Sequence, residues 1–226
     1  MEKFSVKERF ESQIIEIWDN KEYDNISIKK SGYSQQDEII KNALMFIGLN
    51  PSNSENTVES YFYNNSQDGK NHKYFKKFQD ISKRVGLLWT HVDLLFIRET
   101  NQKNIERMLY ENDNSMLKFL YQQLMISKQI IEEAKPKIIV VNNTLSRKFL
   151  GYEKREEKGQ IVEKWMDFKF EFDNEIGTYR LQDSDKLNNI PVFFTSMLTG
   201  QRALDNGSYE RLIWHINYVK KKENNI

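Results

Sequence analysis

Apolar residues recur along the chain at two spacings, one typical of helices and one typical of strands. Near the N-terminus they stand three or four positions apart, which predicts an amphipathic helix that covers the core. These positions are Phe10, Ile14, Ile17 and Trp18. The run from Ala43 to Leu49 is apolar at almost every position, as expected of a strand that is covered on both faces. The first buried strand is therefore predicted there.

Predicted strands and helices alternate after this point. Further strands are predicted in LLWTHVDLLFIRET at 87–100, KIIVV at 137–141 and PVFFTSM at 191–197. Helices are predicted between and after them, and the sequence offers a capping residue for each. These are Gly86 as a left-handed C-terminal cap, Asp113 to Ser115 and Asn142-Asn143-Thr144 as N-terminal caps, and Ser208 as the cap of the last helix.

At 161–181 the spacing of the apolar residues changes to two. Phe168, Phe170 and Phe172 alternate with charged residues, and the turn sequence DNEIG follows them. This pattern predicts a β-hairpin.

The order of these elements defines the expected fold. We predict an α/β protein, a three-layer α/β/α sandwich with a mostly parallel central sheet, plus an inserted β-hairpin. One domain is expected over residues 1–226, with an N-terminal helical extension at 1–40 and the hairpin insertion at 160–182. In such sheets the ligand site lies beyond the carboxyl ends of the strands. A long polar loop at 52–72 adjoins the first of these ends, and loops of this length tend to be functional.

Composition narrows the function classes. The 226 residues, 38% hydrophobic and 13% aromatic, are enough for one full core. The 34 Lys and Arg against 33 Asp and Glu leave a net charge of +1, so a polyanion would have to meet a local basic patch. The chain has no cysteine, which removes disulfides, thiolate metal sites and Cys nucleophiles. The N-terminus lacks a signal-peptide pattern and no apolar run approaches ~18 residues, so we expect a soluble, cytoplasmic protein without membrane contact.

The sequence predicts neither a metal site nor a cofactor. His72, His91 and His215 have no metal-ligand spacing with one another or with carboxylates. The phosphate-binding P-loop and the Gly-x-Gly-x-x-Gly pattern are both missing, which argues against an NTPase or a nicotinamide enzyme. Ser196 lacks the Gly-x-Ser-x-Gly setting of a serine nucleophile.

Two motifs at predicted strand ends resemble a known family. GLNPS, Gly48 to Ser52, follows the first strand and resembles the first motif of the uracil-DNA glycosylase superfamily, above all its mismatch-specific branch, where Gly-Ile-Asn-Pro is typical. FTSMLTGQR, Phe194 to Arg202, resembles the signature His-Pro-Ser-Pro-Leu-Ser-Ala-Tyr-Arg after the last strand. Ser196, Leu198 and Arg202 coincide with that signature. FIGLNPS followed by DLLFIRET is also similar to a bacterial family of unknown function that is thought to share this fold.

The resemblance implies a protein that extrudes a nucleotide from DNA into a pocket and breaks its N-glycosidic bond. Asn50 matches the residue that positions the attacking water, and the turn around it at Gly48, Leu49 and Pro51 would bind the base. An amide orients water but does not take its proton strongly, so catalysis would rest on positioning and on stabilising the departing base anion.

Two further residues of the base site follow from the same resemblance. Phe62, flanked by Tyr61 and Tyr63, lies where the family has an aromatic residue that stacks on the flipped base, and any of the three is a candidate. Asp93 lies near the place of the base-reading Asn, where a carboxylate would favour a base edge that donates hydrogen bonds. An alternative for Asp93 is a structural carboxylate inside the sheet, paired with Arg98.

The resemblance also implies DNA contacts. Ser52 and Ser196 match residues that contact phosphate, Leu198 matches the apolar side chain that fills the gap in the base stack, and Arg202 completes the second motif. A basic run would track further phosphates, although solvated lysines are the commoner explanation for such a run. It comprises Lys70, Lys73, Lys76, Lys77, Lys83 and Arg84.

The chief departure from the family is Phe194, which stands at the base-binding position where the signature has His. Phe cannot donate to a base oxygen that is gaining charge, and losing one such donor typically costs ~10²–10³ in rate. Two alternatives to a glycosylase therefore stay open. One is an inactive or divergent relative that binds a nucleotide, nucleic acid or protein partner through the same cleft. The other is a protein-interaction domain built around the aromatic hairpin at 168–172.

Overall fold

The structure, a computed structural model, describes residues 1–110, 113–151, 155–157, 160–163, 165–182, 186–200 and 203–223. In these residues the strands are β1 (Lys3–Ser5), β2 (Ser34–Gln36), β3 (Glu38–Ile40), β4 (Leu44–Gly48), β5 (Tyr61–Tyr63), β6 (Trp89–Asp93), β7 (Ile138–Val141), β8 (Arg155–Glu157), β9 (Gln160–Glu163), β10 (Phe170–Asp173), β11 (Thr178–Gln182) and β12 (Asn188–Phe194). The α-helices are α1 (Val6–Asp19), α2 (Lys76–Val85), α3 (Gln102–Met108), α4 (Asn114–Ala134), α5 (Thr144–Leu150) and α6 (Asn206–Lys222).

The main sheet is mixed and has six strands in the order β10-β11-β12-β7-β4-β6. The pairs β12/β7, β7/β4 and β4/β6 are parallel, whereas β10/β11 and β11/β12 are antiparallel. The four strands predicted from the sequence are thus neighbours in one parallel block. Within the range predicted for the hairpin, β10 and β11 form one and extend this sheet beyond β12, whereas β9 pairs with β8 in a separate two-stranded sheet.

Side chains of the parallel strands divide between two apolar clusters, because successive residues of a strand point to opposite faces. Met45 and Ile47 belong to the first apolar cluster, which also contains buried residues of α1, α4 and α5. Leu44 and Phe46 belong to the second apolar cluster, with buried residues of α2 and α6. Apolar residues on both faces of β4 explain why its sequence shows no polar alternation.

Several helix ends confirm the capping residues expected from the sequence. Gly86 ends α2 at φ 67°, a left-handed conformation that favours glycine. The side chains of Asp113 and Asn143 accept backbone hydrogen bonds at the starts of α4 and α5. Ser208 was the wrong choice for α6, since the cap is Asp205, whose carboxylate accepts from the backbone N–H of Ser208. Asp205 accepts from Ser208 Oγ as well, so the two polar residues act together.

Strand β6 lies at one edge of the main sheet, and glutamine side chains take the place of a neighbouring strand there. The Gln67 amide accepts from the backbone N–H of Trp89 at 2.9 Å and donates to its carbonyl at 2.8 Å. The Gln35 amide donates to the carbonyl of Asp93 at 2.9 Å and lies 3.4 Å from its backbone N. The backbone at both ends of β6 is therefore held by side-chain amides.

Residues outside the main sheet form more strand structure than the sequence patterns predict. In the region of the N-terminal extension, β1 pairs with β3. In the polar loop at 52–72, β5 pairs with β2 in parallel. These strands have three residues each, too few for a periodic pattern to be visible. None of the helices formed by the described residues combines the length and apolar character needed to cross a membrane.

Candidate functional site

Four strand ends meet at the carboxyl edge of the parallel block. Gly48 of β4 pairs with Asp93 of β6. On the other side of β4, the backbone N–H of Asn142 donates to Ile47 just beyond the end of β7. Alternate residues of a strand point to the same face of the sheet. Gly48 and Asp93 therefore lie on the same face as Phe46 and Trp89, which is the face of the second apolar cluster. We call Tyr63, Tyr74, His91, Asp93 and Asn142 the strand-end cluster, since their side chains gather at this point.

Asp93 is a buried carboxyl group, 4% exposed, that lies against the backbone of Gly48. A Cβ at residue 48 would be only 2.2 Å from Asp93 Oδ1. Glycine at this position therefore makes room for the carboxyl group. Burial raises the pKa of Asp93 to about 8, so the group is largely protonated at neutral pH.

His91 is completely buried beside Asp93 and is neutral. Its ring is flanked by Phe75 and Phe78, with centroid distances of 5.3 and 5.5 Å. Burial lowers the pKa of His91 to about 3. The Nδ1 atom lies 3.3 Å from the hydroxyl of Tyr63, whereas Nε2 has no hydrogen-bond partner among the described residues. Nε2 is 3.6 Å from Asp93 Oδ1, beyond hydrogen-bond distance.

Asn142 and Tyr74 complete the strand-end cluster. Asn142 Nδ2 donates to the Tyr74 hydroxyl at 3.5 Å, which leaves Asn142 Oδ1 buried and unpartnered within the part of the chain that the structure describes. Burial raises the pKa of the Tyr63 and Tyr74 hydroxyls, and the nearby Asp93 carboxyl raises both further. Both hydroxyls therefore stay protonated and uncharged.

Asn50 follows Gly48 by two residues and is held rigidly. Its Nδ2 donates to the carbonyls of Pro51, Ile97 and Glu99 at 2.9, 3.3 and 2.6 Å. Asn50 Oδ1 is buried and has no partner among the described residues. The side chain is thus fixed by its nitrogen, while its oxygen is a buried acceptor that no described residue engages.

Arg98 organises the loop after Asn50 and does not pair with Asp93. Its guanidinium donates to carbonyls of Ser31, Thr57 and Glu59 and to the side chains of Asn53 and Thr57. These bonds fasten the loop at 53–59 to the sheet edge. The alternative in which Arg98 neutralises Asp93 is therefore wrong.

The other predicted base-site residues lie apart from the strand-end cluster. Leu49 is 2% exposed in the first apolar cluster, and Pro51 uses its carbonyl to hold Asn50. Phe62 packs against that same cluster, with its ring 5.9 Å from Tyr33. Of the three adjacent aromatic residues, Tyr63 is the one that reaches His91.

Phe194 also points away from Asp93. It pairs with Val141 in β12, on the face of the first apolar cluster, and its ring lies 5.1 Å from Phe170 and 5.4 Å from Tyr179. The guanidinium of Arg147 lies 5.7 Å from the same ring. By the alternation of side chains along a strand, the next residue, Thr195, falls on the opposite face of the sheet, which carries the strand-end cluster.

The predicted DNA-contacting residues are placed unevenly. Ser52 is exposed, with its hydroxyl 2.9 Å from that of Thr100, and Ser196 is half-buried. Leu198 is 3% exposed and belongs to the second apolar cluster, which is a packing position. Arg202 lies outside the described residues.

The basic run divides into two parts. Arg84 forms two hydrogen bonds with Glu210, at 2.8 and 2.5 Å, and Lys77 lies 3.9 Å from the ring centroid of Tyr209, so both serve the contact between α2 and α6. Lys70, Lys73 and Lys76 are exposed and adjoin Tyr74 in the chain.

The aromatic hairpin does not form one continuous exposed face. Phe168 is 2% exposed, whereas Phe172 is 51% exposed and packs edge-on against Tyr179. A concavity of about 400 Å³ lies beside Phe172, between the start of β11, the end of β12 and α6. Its lining includes Thr195 and Arg211.

Sequence patterns missed His91, Tyr74 and Asn142 as site residues. The signal for His91 was present in WTHVD, where Thr90, His91 and Asp93 interrupt a strand that is buried at every position. Asn142 was expected only as part of a helix cap, but Asn143 alone supplies that cap. Within the described ranges, no group of three or more His, Cys, Asp or Glu side chains is arranged to hold a metal ion.

Comparisons with known proteins add no assignment. No protein-family model matches the chain, and no curated protein matches it. The relation to the uracil-DNA glycosylase superfamily therefore stays a prediction based on the two motifs.

Proposed function

We propose that the protein binds a nucleobase of DNA at the strand-end cluster. The observation that carries this proposal is that three of the seven buried side-chain polar atoms without partners among the described residues belong to residues near the carboxyl ends of β4, β6 and β7: Asn50 Oδ1, His91 Nε2 and Asn142 Oδ1. A buried polar atom without a hydrogen bond costs roughly 1–3 kcal/mol, and such groups in native proteins require an explanation. A planar ligand rich in hydrogen-bonding atoms supplies one.

The fold we infer for this function is a three-layer α/β/α sandwich whose parallel block presents the site. The two separate apolar clusters support this inference, because each combines one face of the sheet with its own helices. Ligand binding beyond the carboxyl ends of parallel strands is the general rule for such sheets.

DNA is the favoured source of the base because exposed cations border the site. Lys70, Lys73 and Lys76 are exposed, and Tyr74 lies among them in the chain. A nucleotide whose base reached Tyr74 and Asp93 would bring its phosphates near this segment. Lysine contacts to phosphate provide affinity that is independent of sequence and falls with salt.

The enzymatic form of the proposal is hydrolysis of the N-glycosidic bond of the bound base. Asn50 would orient the attacking water through Oδ1, because its nitrogen is already engaged by three carbonyls. The base oxygen that gains charge would need a donor other than Phe194. The Asp93 O–H is one, and His91 Nε2–H is another when Tyr63 donates its hydroxyl proton to Nδ1.

The second candidate function is base binding without hydrolysis. The position of Phe194 favours it, because this residue faces the first apolar cluster and offers no donor. Asn50 is also too weak a base to deprotonate water. This alternative predicts the same binding site and no product.

A glycosylase and binding assay on one set of DNAs tests the proposal. Duplex and single-stranded oligonucleotides carrying one uracil, hypoxanthine, alkylated base or mismatched thymine are incubated with wild type, Asn50→Ala and Asn25→Ala. Asn25 is exposed, so its variant is the control. Abasic product that Asn50→Ala loses and Asn25→Ala keeps supports the enzyme. Binding without product supports the second candidate, and neither binding nor product contradicts both.

A further inference from the structure

We propose that Asp93 acts as a neutral carboxylic acid that recognises a base edge carrying one hydrogen-bond donor and one acceptor side by side. This inference rests on the proposed function, and it concerns which ligands the site selects. It replaces the expectation from the sequence that an ionised carboxylate at residue 93 selects an edge with two donors.

The surroundings of Asp93 keep the carboxyl group uncharged. Its side chain is 6% exposed, and its one ion-pair contact within the described residues is His91 Nε2 at 3.6 Å. His91 is neutral because it is buried among aromatic rings, and Arg98 donates to the loop at 53–59 instead. An isolated buried carboxylate is costly, so the group retains its proton.

The groups that face Asp93 from the neighbouring elements supply no positive charge. Tyr63 comes from β5, Tyr74 from the segment before α2, His91 from β6 and Asn142 from the end of β7. The two tyrosine hydroxyls stay protonated and carry no charge, because burial raises the pKa of each. Gly48 of β4 contributes only backbone.

A protonated carboxyl group has the hydrogen-bonding pattern of an asparagine side chain. Its O–H donates and its carbonyl oxygen accepts, whereas an ionised carboxylate only accepts. The N–H and C=O of uracil, thymine or hypoxanthine match the neutral acid, as do the amino group and ring nitrogen of adenine or cytosine. The ionised form would instead select two adjacent N–H groups. The protonation state of one residue thus sets the class of ligand.

The position of Asp93 makes this selection effective. The carboxyl group leans over Gly48, and Asn142 stands on the far side of the same residue, two strands and roughly 10 Å from Asp93 along the sheet. Asn142 Oδ1 is a second acceptor without a partner among the described residues. The carboxyl group fills the space directly over Gly48, so a ring bound between Asp93 and Asn142 would lie beyond it and meet each side chain along one edge.

The decisive experiment compares wild type, Asp93→Asn and the exposed control Asp19→Asn as a function of pH. Affinity for the oligonucleotide panel is measured from pH 7 to pH 9, together with circular dichroism to show that each variant is folded. Asparagine keeps the donor and acceptor but does not titrate. Because Asp93 has a pKa of about 8, wild type should bind about tenfold more weakly at pH 9 than at pH 7. Asp93→Asn should match wild type at pH 7 and lose much less affinity than wild type up to pH 9, because only the titration of the base itself remains.

Other outcomes distinguish the inference about the charge of Asp93 from the proposed base-binding function. Affinity that is constant or rises with pH in wild type, with binding lost in folded Asp93→Asn, would show an ionised carboxylate and overturn the inference while leaving base binding intact. If Asp93→Asn does not fold, the wild-type profile is repeated on an oligonucleotide whose target base is adenine, which does not titrate between pH 7 and pH 9. A fall of about tenfold there supports the inference, and a constant affinity overturns it. No binding to any oligonucleotide at any pH would overturn the proposed function itself.

Discussion

Gly48 and Asp93 face each other across β4 and β6, so closely that a methyl group on residue 48 would lie 2.2 Å from the Asp93 carboxyl oxygen. The glycine of the GLNPS motif is thus explained by the side chain of its neighbour on the next strand. The motif and the buried carboxyl group form one structural unit, although 45 residues separate them in the chain.

Gly48→Ala should displace the Asp93 carboxyl group and reduce affinity for the base by at least about tenfold. Unfolding free energy should fall by about 1–3 kcal/mol, because the added methyl overpacks the site. Urea unfolding and the oligonucleotide binding assay measure the two effects. The double variant with Asp93→Ala is the control, since removing the carboxyl group relieves the clash and Gly48→Ala should then cost less. Equal costs in both backgrounds would contradict the contact.

The stability of wild type should fall as pH rises from 6.5 to 8. The Asp93 carboxyl, with a pKa of about 8, keeps its proton when folded and releases it on unfolding, which favours the unfolded state as pH increases. His91, with a pKa of about 3, acts in the opposite direction, and this effect fades as pH rises past its unfolded pKa of about 6.5. The net slope should therefore be steepest near pH 7, at about −1 kcal/mol per pH unit, and should weaken toward pH 8 as folded Asp93 begins to titrate.

Asp93→Asn should remove most of this slope, because the amide does not titrate. Urea unfolding at half-unit intervals from pH 6.5 to pH 8 measures it in both proteins. An unchanged slope in Asp93→Asn would assign the pH dependence to other groups.

Tyr63→Phe should weaken base binding more than either neighbouring change, Tyr61→Phe or Phe62→Leu. It leaves His91 Nδ1 without the hydroxyl at 3.3 Å, so both ring nitrogens lack a partner among the described residues and the tautomer is no longer fixed. The cost in stability should be about 1–3 kcal/mol. Tyr61 is exposed and serves as the matched control for loss of a hydroxyl. If Phe62→Leu has the larger effect on binding, the stacking residue expected from the sequence is the right one.

Arg98→Ala should loosen the loop at 53–59 and destabilise the protein by about 2–4 kcal/mol. Arg98 is 4% exposed, and its guanidinium donates to three backbone carbonyls, which the variant would leave unsatisfied. Arg98→Lys should recover only part of the loss, since lysine lacks the planar fork. Limited proteolysis followed by mass spectrometry should locate the first new cleavage within 53–59. Cleavage elsewhere would contradict this role.

Replacing Lys70, Lys73 and Lys76 together by Gln should lower the salt dependence of DNA binding. Each phosphate contact that is lost reduces the slope of log K against log salt by about 0.9 on duplex and about 0.7 on single strands. The matched control replaces Lys7, Lys21 and Lys30, which are equally exposed. The same change of slope in both triple variants would leave the site-bordering lysines without a special role.

Sequence patterns predicted the parts of the fold that long periodic segments determine. The four parallel strands, the amphipathic α1 and α4 and the cap at Gly86 all follow from spacing and local backbone chemistry. The three-residue strands β1, β2, β3 and β5 could not be predicted, because their pairing depends on contacts between distant segments. The cap at Asp205 was missed because two polar residues three positions apart both suit that role.

The sequence predicted which residues lie at the site better than it predicted what those residues contact. Asn50 and Asp93 were singled out from the motifs, and both lie at strand ends with buried polar atoms. Three other features depend on how separate segments pack. Asp93 is neutral, Arg98 turns away from it, and Tyr63 rather than Phe62 reaches His91. Phe194 was aligned with a catalytic position, but the alternation of side chains along β12 places it on the opposite face of the sheet, against the first apolar cluster.

The glutamine amides along β6 have a consequence for self-assembly. A sheet edge with free N–H and C=O groups is a template on which a second chain can add a strand, and such edges promote aggregation. At Trp89 and Asp93 these groups are already bonded to Gln67 and Gln35. An incoming strand would have to displace both amides before it could pair. The side chains that hold the Trp89 and Asp93 backbone thus also protect the β6 edge of the sheet against strand addition.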